Sequence, residues 1–173
     1  MKLVVSTVIL FGALLHSAFV TAECVTNRNA DILITRPDSL YTDHDDTVSD
    51  NKVGLMWQKC TLGLTGPNCA TEAAALILTW QAALAAANEN TDYGYSDWRL
   101  PNKNELESLL EDACFSPAIN ETLFPNTQSN PYWSSSPYAG NSASAWGVNF
   151  LNGYVGDYDK YRGGYVRLVR DSQ

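Results

Sequence analysis

Histidine is nearly missing from this sequence, with two among 173 residues, and Lys and Arg together number 11 against 19 Asp and Glu, a net charge of −8. So little positive charge argues against a nucleic-acid binder, which needs clustered Lys and Arg to displace counterions from phosphates. No apolar run reaches the ~20 residues that a membrane-spanning helix requires. Long acidic tracts and low-complexity repeats are also absent. What the chain does have is 11% aromatic residues, including five Trp and nine Tyr, an apolar content that excludes a disordered chain. The length suits one compact domain.

The N-terminus has the order of a secretory leader. Met1 and Lys2 form a short positive region, Leu3 to Leu15 is a largely apolar stretch, and Val20, Thr21 and Ala22 place small residues at a cleavage position. Residues 1–22 are therefore expected to be a signal peptide and 23–173 a single mature domain, whose net charge becomes −9 once Lys2 is lost. Export to the periplasm, the cell surface or the medium follows from this, with no transmembrane segment in the mature chain.

Export decides how the cysteines are read. Cys24, Cys60, Cys69 and Cys114 all lie after the leader, and an even set in an oxidising compartment reads as disulfides. Four cysteines allow three pairings. Cys60 and Cys69 flank a loop containing Gly, Pro and Asn whose ends meet easily, which favours Cys60 with Cys69 and Cys24 with Cys114. Zinc is disfavoured because no two cysteines have ligand spacing and the mature chain keeps one histidine, His44. Glu23 stands where a lipoprotein leader would have a small residue before Cys24, which favours a soluble or surface-associated form.

The chain reads in three blocks. From Ala30 to Gln58, Ile32, Ile34, Tyr41 and Val53–Trp57 flank an acidic stretch, Asp43–Asn51, the pattern of a hairpin with an acidic tip. Next come two short helices. Thr79 can N-cap the alanine-rich Trp80–Asn88, and Asn102 with Glu105 three residues on is a capping-box variant preceding Leu106, Leu109 and Leu110. The remainder is strand-like and aromatic: Tyr132–Ser136, Ser144–Phe150, a turn at Leu151–Gly153 into Tyr154, and Tyr165–Arg170, whose imperfect alternation predicts one half-buried and one more exposed end.

Several motifs occur in a distinctive order: Gly54–Trp57, Thr79–Gln81, Asp97–Pro101 with Glu105–Leu106, Phe124–Thr127, Tyr132–Ser136, Ala145–Trp146, Asn152–Gly153 and Tyr165–Arg167. In these the chain closely resembles the bacterial domain family named after the C-terminal domain of the Legionella collagen-like protein, over about residues 24–171. The resemblance implies an α+β, C-type-lectin-like fold: two short helices with a looped antiparallel sheet and neighbouring termini. It also implies ligand binding by a C-terminal stretch that some lectin-like relatives diversify. The calcium-and-sugar tripeptides of calcium-dependent lectins are not matched, since Phe124-Pro-Asn126 lacks the first side-chain ligand and Asp97-Trp-Arg99 is not the partner motif.

Six of the nine tyrosines fall between Tyr132 and Tyr165, mixed with Asn, Asp, Ser and Gly. That composition resembles antibody paratopes, where Tyr supplies rigid contact area and small polar residues adapt. Tyr138, Asn141, Tyr154, Asp157, Tyr158, Tyr161 and Arg162 are the candidate ligand contacts, whereas Trp57, Trp98, Trp133 and Trp146 are assigned mainly to the core. Catalytic machinery is sparse. His44 sits in an acidic turn, Glu107 and Glu111 share a helix face as a solvated pair, and four bridged thiols offer no nucleophile. No cofactor is expected. Asp43, Asp45, Asp46 and Asp50 leave a structural calcium open but lack the spacing of an EF-hand loop, so no metal is assigned.

The expectation is thus a non-catalytic exported domain that binds an extracellular glycan, glycosaminoglycans included, through its Tyr-rich face, with a surface protein as the alternative partner and an enzyme third. Binding a polyanion would require Lys160, Arg162, Arg167 and Arg170 to form a local cationic patch.

Overall fold

The structure is a computed structural model whose described residues are 23–24, 33–70 and 73–172. The expected leader and Ile32 lie outside them. The strands are β1 (Glu23–Cys24), β2 (Tyr41–Asp43), β3 (Thr47–Asp50), β4 (Leu55–Gln58), β5 (Cys114–Phe115), β6 (Pro131–Pro137), β7 (Ser144–Asn149), β8 (Tyr154–Asp159) and β9 (Val169–Asp171), with helices α1 (Trp80–Glu89) and α2 (Lys103–Glu107) between β4 and β5. The strands form a four-stranded sheet ordered β2-β3-β4-β9, a three-stranded sheet ordered β6-β7-β8, and the pair β1-β5, all antiparallel. This is a mixed α+β architecture.

Local chemistry sets the helices. The Thr79 hydroxyl accepts from the Ala82 amide, and α1 buries Ala83 and Ala87, whose small side chains allow close approach to Trp98 and Trp133. In α2 the capping box closes in both directions: Asn102 Oδ1 accepts from the Glu105 amide at 3.0 Å, and Glu105 Oε2 accepts from the Asn102 amide at 2.7 Å. Arg99 grips the same carboxylate with two bonds. α2 ends at Glu107, so Glu107 and Glu111 do not share a helix face as expected. Glu107 is exposed and pairs with Lys103, whereas Glu111 is buried.

The acidic segment is likewise not a single hairpin tip. Thr47–Asp50 is itself a strand, so the chain makes a three-stranded meander with turns at 44–46 and 51–54. Asp50 is fully buried rather than solvated, and its Oδ1 accepts from the Lys52 and Val53 amides of the second turn. Gly54 closes that turn at φ +71°, a conformation that would strain a residue with a Cβ.

One buried cluster lies between the two larger sheets and includes Val48, Trp57, Leu106, Phe124, Tyr132, Val148 and Val169. A second, with Trp98, Trp133, Ala145, Val166 and Leu168, lies under α1. The C-terminal segment runs between them. Gln58 donates to Leu168, Leu62 donates to Val166, and Arg99 and Val169 exchange backbone bonds, so this segment is paired along both edges. Residues 166–170 are all buried, correcting the expectation of an exposed end. A strand covered on both faces has no reason to alternate.

Tyr41 provides a probe of this core. Burial, reinforced by the Asp50 carboxylate, pushes its hydroxyl up to about 12. The group titrates near 10 in an unfolded chain, so its contribution to stability is full below pH ~10 and is lost as pH rises through the folded value. The melting temperature is expected to fall between pH 10 and pH 12, and Tyr41→Phe should flatten part of that fall. An unchanged slope in the variant would reject the assignment.

Candidate functional site: an aromatic face on the three-stranded sheet

The β7–β8 hairpin builds the most distinctive surface. Its turn is fixed by side chains: Asn149 Oδ1 accepts from the Leu151 amide at 3.0 Å, Asn152 Oδ1 accepts from the Tyr154 amide at 3.1 Å, and Gly153 sits at φ +75°. Strand alternation then places Tyr154, Gly156 and Tyr158 on one face and Val155, Asp157 and Asp159 on the other. In the antiparallel register Gly156 lies opposite Gly147, and Gly147 opposite Trp133.

The glycines determine how the rings lie. A Cβ on Gly156 would fall 2.3 Å from Tyr154 Cε1, and one on Gly147 would fall 2.7 Å from the Tyr132 carbonyl oxygen and 3.0 Å from Tyr158 Cδ2. Both rings therefore lie close against glycine backbone, in space that a Cβ would occupy. Trp133 uses the same device against Gly164, where a Cβ would meet its Nε1 at 2.7 Å. Its indole N–H donates to the Leu78 carbonyl at 2.8 Å, and Tyr158 meets the indole edge-on with centroids 6.3 Å apart. Burial, with Tyr154 and Asp157 nearby, raises the Tyr158 pKa above its ordinary value.

Beside these rings lies a cleft of about 170 Å³ lined by Pro131, Trp133, Tyr158, Arg162, Gly163 and Gly164. Enclosed small-molecule sites begin near ~300 Å³. The cleft suits one ring or one side chain of a larger ligand held against an open face.

Of the seven candidate contacts, the structure gathers Tyr154, Tyr158 and Arg162 about this face and cleft, with Tyr161, 72% exposed, on the adjoining loop. Asp157 points to the other side of the sheet, opposite Trp146, and Tyr138 packs perpendicular to that indole with centroids 5.1 Å apart. Asn141 shapes the β6–β7 turn, accepting from the Ala143 amide and donating to Ser144 Oγ. Sequence reading placed Trp133 in the core, where it is indeed buried, without placing it also in the cleft wall. The spacing Tyr154-x-Gly156-x-Tyr158 was the available signal.

The Lcl C-terminal domain family model matches residues 46–170, most of the chain. The chain belongs to the Lcl C-terminal domain family. No curated protein matches it. The matched span contains both helices, the three-stranded sheet and the aromatic hairpin.

In this Lcl C-terminal domain the cationic patch that binding a polyanion would require does not form. Arg167 is fully buried, donating to the Gln58 and Lys59 carbonyls and to Thr127 Oγ1. Arg170 is also buried, with two bonds to Asp97 and its guanidinium 4.0 Å over the Tyr95 ring. That leaves Lys160, whose Nζ sits 4.5 Å over Trp80 and donates to the Ser142 carbonyl, and Arg162, paired with Asp159 at 3.3 Å. Both remaining cations are engaged.

The four cysteines are joined as expected, Cys24 to Cys114 and Cys60 to Cys69. Among the described residues no helix is long and apolar enough to cross a membrane. In the acidic region Asp43 pairs with Lys59, and exposed His44 shares a 3.0 Å hydrogen bond with Ser49 Oγ. Among the described residues no three His, Cys, Asp or Glu side chains form a group able to hold a metal.

Proposed function

We propose that this domain is an exported, non-catalytic binding module of lectin-like architecture that recognises a neutral glycan of a surface or matrix through Tyr154, Tyr158 and the Trp133 cleft. The observation that carries this reading is the pair of tyrosines packed against Gly156 and Gly147 beside the Trp133 cleft, which gathers aromatic carbon on which the C–H face of a sugar ring can stack. The hydroxyls of Tyr154 and Tyr158 and the Arg162 guanidinium supply polar partners at the rim. With Arg167 and Arg170 buried, a sulfated polysaccharide would meet a surface of an anionic protein with two cations already paired. Two disulfides support an oxidising compartment.

Binding to a glycan array is expected for neutral sugars and to be insensitive to calcium chelation. The double change Tyr154→Ala and Tyr158→Ala should weaken it about 10-fold or more, at ~0.5–1.5 kcal/mol per aromatic contact, and the exposed Tyr154→Ala alone should weaken it with melting little altered, whereas Tyr158→Ala also loses its packing on Trp133. Gly156→Val should do comparable harm without deleting any contact atom, because its side chain must lift the Tyr154 ring. Silence of every glycan in both conditions would sink the sugar reading. A protein ligand would then be favoured by the exposed Leu76, Ile77 and Tyr161, at 44%, 61% and 72% exposure.

A further inference from the structure

We propose that the opposite face of the same three-stranded sheet carries a second site for a neutral sugar ring, built on Trp146, so that one domain bridges two glycan chains. The inference rests on the glycan reading above but on different residues. Trp146 and Asp157 are register partners one residue on from the Gly147–Gly156 pair, so their side chains project away from Tyr154 and Tyr158. Trp146 is half-buried and belongs to none of the buried clusters among the described residues, which corrects its assignment to the core.

The surroundings of Trp146 mirror the first face. Tyr138 stands perpendicular to the indole, and it too lies close against a glycine: a Cβ on Gly140 would lie 2.7 Å from Tyr138 Cε1. A cleft of about 290 Å³ runs along Trp146 between Asn102, Lys103, Asn104, Ser136 and Pro137. Lys103 Nζ is 5.3 Å from the indole centroid and 3.2 Å from Glu107 Oε2, while Ser136 Oγ accepts from the Lys103 amide at 3.0 Å.

Charge selects the ligand class. Glu107 offsets Lys103, and the exposed Asp157 carboxylate beside Trp146 leaves the site with an excess of negative charge. A sulfate or uronate is disfavoured there. A ring hydroxyl fits, because it can donate to Asp157 and accept from Asn104 or the free hydrogens of Lys103. Because the sheet backbone separates the two sites, two chains are captured more readily than one, and the product is cross-linking.

The test uses the full mature domain, shown to be monomeric by light scattering, mixed with dextran, mannan or galactomannan. The expected result is binding to at least one polymer with a rise in scattering as chains are joined, and two equivalents of its constituent methyl hexoside per domain. Trp146→Ala should abolish cross-linking and reduce the stoichiometry to one, while affinity at the first face stays within about 3-fold. Lys103→Ala with Asn104→Ala, which leaves Trp146 and the Asn102–Glu105 capping box in place, should weaken the second equivalent at least 5-fold and keeps the test valid if Trp146→Ala misfolds. Binding without cross-linking, one equivalent in the wild type, or cross-linking that persists in these variants would each overturn the second site and leave the first intact. Failure to bind any of the polymers, together with silence on the glycan array, would overturn both.

Discussion

Replacing Arg167 with alanine is expected to remove about 3–5 kcal/mol of folding stability, read as a drop in the urea midpoint with an unchanged slope. The guanidinium is fully buried, and its acceptors are two carbonyls and a hydroxyl rather than a carboxylate. Burial lowers its pKa. Desolvation of the cation therefore opposes folding, and the offset must come from charge-assisted hydrogen bonds and from its position 4.9 Å over the Phe124 ring. Alanine deletes all of these at once and leaves the Gln58 and Lys59 carbonyls short of donors beside a void. Arg167→Met separates the two losses. It refills the space without restoring any donor, and it is expected to keep at least half of the deficit. Wild-type stability in the methionine variant would mean that the residue serves only as volume, with the hydrogen bonds balanced by desolvation.

The same residue shows where sequence reasoning ran out. An arginine in a stretch with valines and leucines can be an outward position on an alternating strand or a buried tie between segments, and local pattern does not separate the two. The choice was made by Gln58, Lys59 and Thr127, which are 40 to 109 residues away. By contrast, α1 and α2 were legible because Thr79 and the Asn102–Glu105 box act within three residues of themselves. Cys60 and Cys69 were legible for a similar reason, being nine positions apart in sequence. The binding face was legible as a composition but not as a geometry. Strand period two could divide Tyr154 and Tyr158 from Asp157, yet only the register with β7 shows which neighbours each meets, and only the structure shows the rings packed against the glycines. Glu111 was misread because helical spacing was extended past the point where α2 stops.

Glu111 is also the subject of the second large effect. Glu111→Ala is expected to cost about 2–4 kcal/mol and to open residues 33–36 to proteolysis. One carboxylate oxygen accepts from the Thr35 amide at 2.9 Å, the Thr35 hydroxyl at 3.2 Å and the Ala113 amide at 3.0 Å, and the other accepts from the Arg36 amide at 2.6 Å. Three backbone donors on one buried acid cannot all be satisfied by any neutral isostere. Glu111→Gln turns one oxygen into an NH₂ group facing a backbone N–H, so it should recover little of the loss. The Cys24–Cys114 bridge fastens the same N-terminal segment by a different mechanism. Its partners are 90 residues apart, so it acts chiefly by restricting the unfolded chain, with a contribution of about 2–4 kcal/mol. The carboxylate acts only in the folded state. Denaturant melts of Glu111→Ala, of the Cys24→Ala and Cys114→Ala pair, and of the triple variant close a cycle that compares them. If both hold one cooperative segment, the combined loss should fall short of the sum by at least ~0.5 kcal/mol, because an arm already released has little left to lose. Strict additivity would show that the bridge stabilises the domain without help from the clasp at Thr35 and Arg36.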